Sequence, residues 1–473
     1  MMIVLTVLAY FAVLFGISHL TSRRANNDTF YRANRRASWY MVAFGMVGAS
    51  ISGVTFVSVP GMVLSSQMTY LQMCLGFIVG YLVIAFVLLP LYYRLNLTTI
   101  YGYLGQRLGL RSYLTGASFF LLSKMTGAAV RFYVVCIILQ QFVFDPVGIP
   151  FIVNVLMMVA LIWLYTRRGG IGTLVFTDVF QTFCLFTALV LIILEIISQL
   201  HFSVGEAVDA IAASEMSRVF VFDDWVSPHH FWKQFLSGAF IAIVMTGLDQ
   251  DMMQKNLTCK SLRDAQKDMC TYGVAFVPAN LLFLALGVLL AMYFGADAAA
   301  MKGDALLPTF IQATSTVHYS LFTIHLFVIG IVAASFSSAD SALTSLTTCF
   351  CVDILHKQGD ETLRKRTHIG MCLFFVLSIL LFRQLNSTSL IDAIYILASY
   401  TYGPLLGLFV FGLFTKRMPS DRLTPYICIA SPLFCYALNT LVQQLWGYRF
   451  GYELLMLNGL LTFAGLWLSC KGK

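Results

Sequence analysis

The chain has 473 residues, of which 59% are hydrophobic and 11% charged, and its formal net charge is +8. A soluble domain carries roughly 25% charged residues, and a core this large would be divided by polar linkers, so a soluble enzyme, a disordered chain and a disulfide scaffold are excluded. Apolar runs of about 20 residues, in place of alternating segments of about ten, exclude a porin-type barrel and define an all-α polytopic membrane protein.

Thirteen helices are predicted, near 3–20, 40–64, 70–92, 113–142, 148–165, 174–199, 232–250, 270–294, 320–352, 367–384, 390–415, 424–444 and 452–469. The first basic residue is Arg23, after the first apolar run, so that run reads as a retained helix and not a secretory leader. Placing the N-terminus outside assigns 23 of the 30 Lys and Arg residues to inner loops and five to outer ones (Arg218, Lys233, Lys302, Arg383 and Arg449). That asymmetry predicts an outer N-terminus and an inner C-terminus. The segment 200–231 is a long acidic outer loop, too short for a second domain. Most of the eleven cysteines, among them Cys74, Cys136 and Cys349, lie inside apolar runs and act as small hydrophobes. The basic residues are scattered, which speaks against a nucleic-acid partner; the partners expected are a lipid bilayer and a small solute.

Two predicted helices have unusual chemistry. The 40–64 segment carries Gly45, Gly48, Ser50, Ser52, Gly53 and Thr55, then Pro60-Gly61. Unpaired backbone at membrane depth is tolerated where it lines a cavity or binds something; the other reading is a small-residue packing face. In the 320–352 segment, positions 334, 337, 338, 341 and 345 share one helical stripe, with four hydroxyls and Asp340 beside it. Hydroxyls and carbonyls are hard ligands suited to a hard cation, although hydroxyls also bond helices together.

Ionisable groups at membrane depth are Lys124, Arg131, Asp178, Glu195, Asp340 and Asp392, each costly to insert and functional by default. Lys124 and Arg131 lie seven residues apart on one face, and no Asp or Glu occurs between Asp28 and Asp145. Each cation therefore needs a carboxylate from a later helix, for which Asp178 or Asp392 could serve, or a carbonyl, water or an anionic ligand. Glu195 lies near the outer end of its helix.

The strings Tyr165-Thr-Arg-Arg-Gly169-Gly170 leading into Thr177-Asp178, Thr246-Gly247-Leu-Asp249-Gln250-Asp251-Met-Met-Gln254-Lys255, Ser337-Ser338-Ala-Asp340-Ser341 and Gly403-Pro404-Leu-Leu-Gly407 together resemble the sodium:solute symporter family. The resemblance implies a leucine-transporter-type fold with inverted repeats of five helices over 40–199 and 232–417. A first peripheral helix with a basic loop (1–39) and two C-terminal helices (418–473) would flank them. Substrate and ion would bind near the midplane at broken helices, and Na+ would be the coupling ion. The family's main sodium site, carried over, would use carbonyls of Gly48, Ile51 and Ala334 and the hydroxyls of Ser337 and Ser338. A second site would involve Asp178 and Ser341, with Asp340 nearby.

Several positions resemble sialic-acid carriers: hydroxyls at Ser50, Ser52 and Thr55, an amide at Gln72 and a carboxylate-binding Arg131. The resemblance therefore implies symport of an organic anion such as sialic acid, into the cell, by one chain acting as a unit in a plasma membrane. A carrier of a neutral sugar or amino acid is the alternative, and a sodium-dependent sensor on the same scaffold is the alternative of another class. An enzyme would need a nucleophile, base or metal constellation; the pair His229-His230 in the outer loop is expected only to flank the next helix. A channel would need a continuous filter.

Overall fold

A computed structural model describes residues 2–23, 25–225, 227–314, 320–385, 390–448 and 450–470. Every element of any length is helical, and the one β pairing among the described residues is an isolated bridge between Ala37 and Cys259. This is what lipid demands of apolar runs, because a helix satisfies its own backbone where no water can.

The helices that position the site are α1 (Met2–Thr21), α2 (Trp39–Ser50), α3 (Gly53–Ser66), α4 (Tyr70–Val83), α5 (Leu110–Leu139), α6 (Phe151–Thr166), α7 (Ile171–Gln199), α8 (Phe231–Ala242), α9 (Gln250–Asn256), α10 (Leu262–Phe294), α11 (Ser320–Cys349), α12 (Glu361–Leu385), α13 (Leu390–Thr401), α14 (Gly403–Phe414), α15 (Thr424–Trp446) and α16 (Leu454–Leu468). Among the described residues, seven helical stretches are long and apolar enough to cross a membrane, two more spans are bent pairs, and four further apolar helices are shorter. The expected helix at 390–415 is two pieces, α13 and α14, because Gly403-Pro404 starts a new helix after Tyr402. The outer loop 200–231 holds a helix, Val204–Ala213, nucleated by a capping box between Ser203 and Glu206. A nine-residue helix, Leu306–Thr314, precedes α11 and is not among the thirteen predicted from sequence.

Two breaks shape the centre. Between α2 and α3, Ile51 and Ser52 are extended, and the axes bend by 62°. Glycine weakens the helix on both sides of this break, and the freed backbone turns into the interior. Between α8 and α9 a π-turn over Ile243–Gly247 leads to Leu248 and an extended Asp249, with a bend of 71°. Asp249 then caps α9: its Oδ1 accepts the N–H groups of Asp251 at 2.8 Å and Met252 at 3.3 Å.

Burial ranks the layers. The apolar window within Thr323–Ile354, mostly α11, is 94% buried, against 28% for α12 and 17% for α15. So α11 is the axis of the bundle, packed on α7 and α5, and α15 faces outward. The close approach of α2 to α7 depends on Gly48, where an added Cβ would lie 1.9 Å from Thr182 Oγ1. The small residues of the 40–64 segment thus serve both readings at once: Gly45 and Gly48 pack against α7, while Ile51 and Ser52 open the backbone.

The loops sort into two groups. Asn27 reaches Gln358 O, Arg35 reaches Leu97 O, Arg364 reaches Arg167 O, and Ala37 N–H donates to Thr258 O. All of these lie in loops or helix ends that the charge count put on one side. At the other end, Gln67 reaches Glu215 O and Met68 N–H donates to Arg218 O.

Candidate substrate and ion sites

A cavity with about 120 Å³ open to the centres of water-sized molecules lies where the two breaks meet α4, α5, α10, α11 and α13. Ser50, Ser52 and Thr55 line it from the first break, and Thr246, Asp249 and Asp251 from the second. Lys124 and Arg131 enter from α5, Ser338 from α11, and Tyr81, Tyr272 and Tyr402 add phenols. Ser50 Oγ is 2.7 Å from Tyr272 Oη, which accepts from Tyr81 Oη at 3.0 Å, so one wall is a chain of three hydroxyls. Such a chain can donate or accept, because hydroxyl rotors adapt to the ligand.

The two cations of α5 have different fates. Lys124 Nζ lies 2.7 Å from Asp251 Oδ2 and 3.3 Å from Asp249 Oδ1, and all three side chains are nearly buried. Tyr402 Oη donates to Asp249 Oδ2. Lys124 is therefore neutralised twice over by the second break, and Asp178, one of the two carboxylates considered from sequence, is not its partner. Arg131 is half-buried, lines the cavity, and has no hydrogen bond or ion pair among the described residues. Asp392, the other carboxylate considered, lies outside the residues whose side chains are described.

The backbone at the first break has the chemistry of a cation site. Ile51 N–H donates to Val47 O and Phe56 N–H to Ser52 O; between them, the carbonyls of Gly48, Ala49, Ser50 and Ile51 receive no backbone N–H. This stretch abuts α11, since a Cβ on Gly53 would lie 2.1 Å from Ser335 Oγ. Ser337 Oγ donates to Asp178 Oδ1 at 2.7 Å, and Ser338 Oγ donates to Ser335 O at 3.0 Å. With each hydroxyl proton spent on another oxygen, the lone pairs of both serines are free for a hard cation. Such carbonyls and hydroxyls are hard oxygen donors of the kind sodium takes.

Asp178 is fully buried on α7, and its Oδ2 pairs with Lys255 Nζ of α9 at 2.7 Å. Sequence reasoning allowed Arg131 or Lys124 as its partner; the structure corrects this, because α9 turns back from the break and carries Lys255 inward. Asp340 accepts from Tyr165 Oη at 2.7 Å through Oδ2, while its Oδ1 and the hydroxyls of Ser341 and Thr344 are buried without a hydrogen-bond partner.

Gln72 departs from expectation. It is buried outside the cavity, and its amide is spent on the outer loop: Nε2 donates to His229 O at 2.9 Å and Oε1 accepts from Val221 N–H at 3.1 Å. The first turn of α4 faces the outer loop, and this turns Gln72 from a ligand into a tether. Asp249, Asp251, Lys255, Tyr272 and Tyr402 were not predicted. The signal was present in Asp249-Gln-Asp251 ending a glycine-interrupted apolar helix, in a chain whose two α5 cations lack local carboxylates.

Broken helices meeting at a polar, charge-lined cavity in the centre of a helical bundle define a secondary transporter. Residues 30–421 match the sodium:solute symporter family, and the chain belongs to it. Sodium is accordingly the coupling ion. Among relatives, the chain is 26% identical over 435 residues to the sodium/sialic acid symporter NanT of Aliivibrio fischeri, covering 86% of this chain and 82% of the other. It is 25% identical over 447 residues to the sodium/sialic acid symporter SiaT of Proteus mirabilis, covering 86% and 85%. The fold superposes on a sodium-coupled sialic acid symporter in a substrate-bound outward-open state with a TM-score of 0.82, at 20% identity, covering 100% and 99% of the two chains. It also resembles Mhp1, a nucleobase-cation-symport-1 family transporter, with a TM-score of 0.59 at 15% identity and 92% of each chain covered.

Proposed function

We propose that the protein imports a small organic anion, with sialic acid as the specific candidate, together with sodium by alternating access. Arg131 carries this reading: a half-buried guanidinium that lines the cavity and makes no ion pair or hydrogen bond among the described residues. A guanidinium that loses its water when substrate closes the cavity needs an anionic partner, and a carboxylate fits its planar fork in a bidentate manner. Lys124 offers no competing charge, because Asp249 and Asp251 hold it. Around Arg131, the hydroxyls of Ser50, Ser52, Thr55, Thr246, Tyr81 and Tyr272 suit a polyhydroxylated acid. The names of the two bacterial relatives point the same way.

In this reading, the first sodium is held by the carbonyls of Gly48, Ile51 and Ala334 and the hydroxyls of Ser337 and Ser338. A second is held at Asp178 with Ser341 and Asp340. The seven long spans, two bent pairs and four shorter apolar helices are thirteen crossings, with an outer N-terminus and an inner C-terminus in a plasma membrane. The bent pairs α2/α3 and α8/α9 are equivalent helices of two inverted repeats, 40–199 and 232–417, and a single chain is the working unit. The test is binding of sialic acid to purified protein by calorimetry, in sodium and in choline, in wild type and Arg131→Ala. Sodium-dependent binding that Arg131→Ala weakens strongly supports the assignment; a substrate that proves uncharged removes it.

A further inference from the structure

Lys255 has no role in substrate contact, yet it is buried and paired with a carboxylate of the proposed second ion site. Both oxygens of Asp178 are occupied: Oδ1 accepts from Ser337 Oγ, and Oδ2 is 2.7 Å from Lys255 Nζ. A sodium ion bound to Asp178 would lie within a few ångströms of that ammonium, and two like charges in a buried site repel strongly. The ammonium therefore has to leave when the ion arrives.

It has somewhere to go. Asp251 lies four residues before Lys255 on α9, the favourable order for a helical ion pair. Its Oδ1 is buried without a partner, and it is already an electrostatic neighbour of Lys255. Asp251 Oδ2 meanwhile holds Lys124, which lines the substrate cavity. The seven residues of α9 thus carry both the group that blocks Asp178 and the group that holds the cavity lysine.

We propose that Lys255 is a tethered counter-ion that competes with sodium for Asp178. Sodium binding transfers its ammonium to Asp251, loosens α9 from α7, and weakens the Asp251 grip on Lys124. The ion site and the substrate cavity are then coupled through one short helix, and the coupling is reciprocal: substrate that draws on Lys124 favours the sodium-bound state. This inference rests on the reading of Asp178 as an ion ligand given above.

The test is equilibrium sodium binding to purified protein, by calorimetry and by sodium-dependent thermal stabilisation, without substrate. Lys255→Gln removes the competitor and should tighten Asp178-dependent sodium binding about fivefold or more, within the usual range of coupling between sites. Lys255→Arg keeps a cation there and should stay close to wild type. The gain from Lys255→Gln should vanish in the Asp178→Asn background. If Lys255→Gln does not fold, amide exchange in wild type serves instead: sodium should raise exchange across residues 250–256, and Asp178→Asn should remove that effect. An Asp178-dependent sodium ion that binds equally or more weakly in Lys255→Gln, or exchange across α9 that sodium lowers or leaves alone, overturns this inference alone. Sodium binding that Asp178→Asn never alters overturns the second site and this inference with it.

Discussion

Replacing Arg131 should damage substrate binding without damaging the fold, and its environment sets the size of the effect. Arg131 is half-buried and bonded to no described group, so its removal strands no carboxylate among the described residues. A bidentate contact to a carboxylate comprises two charge-assisted hydrogen bonds of about 1.5–3 kcal/mol each. Part of that gain is offset by desolvating the guanidinium when substrate closes the cavity. We expect a net loss of about 2–3 kcal/mol for Arg131→Ala, which is roughly 30- to 150-fold in Kd. Arg131→Lys keeps the charge and loses the fork, so about a fivefold to 30-fold loss is expected. The assay is calorimetric titration of sialic acid in saturating sodium, beside a thermal unfolding scan of each variant. Binding within twofold of wild type in Arg131→Ala would refute the reasoning, as would a loss of binding that merely follows a loss of folded protein.

The opposite pattern is expected at Lys124. Lys124→Met leaves Asp249 and Asp251 buried against each other, and breaking a buried pair costs about 3–5 kcal/mol. Thermal stability should fall sharply, and Lys124→Met/Asp251→Asn should recover part of it; equal stability of wild type and the single variant would contradict the network. Ser337→Ala and Ser338→Ala each remove one of about five oxygens around the first sodium. Both should raise the sodium concentration for half-maximal uptake, and unchanged sodium dependence in both would remove that site. Gly48→Ala places a methyl 1.9 Å from Thr182 Oγ1, so it should destabilise the contact between α2 and α7, and Thr182→Ala should rescue it. A Gly48→Ala protein as stable as wild type would show that α2 and α7 are not held this close. Gln72→Ala should leave substrate affinity nearly intact while loosening the outer loop, read as faster amide exchange at Val221; a large loss of affinity with an unchanged loop would return Gln72 to the substrate site.

The sequence made the helical architecture legible because most of the helices are long apolar runs. Short elements escaped: Leu306–Thr314 is too brief to register as a span, and the interruption between α13 and α14 is a single residue before Gly403-Pro404. The break in α2/α3 was readable from its glycines and hydroxyls, and the hydroxyl stripe of α11 from its spacing. The charge network was not. Lys255 follows the end of an apolar run and so reads from sequence as a loop cation, but the 71° bend at Asp249 returns α9 to the interior. Periodicity places residues on the face of a straight helix and is silent about where a bent one points. Gln72 shows the converse: an amide near the end of an apolar helix resembled a ligand until the outer loop, which has no periodic signal, folded over it.

The central claim is that sodium entry drives uptake of an organic anion through this one chain. The direct measurement is accumulation of radiolabelled sialic acid in proteoliposomes containing only this protein, with sodium outside and choline inside. The account predicts uptake above the equilibrium level that needs the inward sodium gradient, disappears when an ionophore collapses it, and is lost in Arg131→Ala. Uptake that is equal in sodium and choline would contradict it, and so would purified, folded protein that accumulates a neutral solute under the same gradient and no sialic acid.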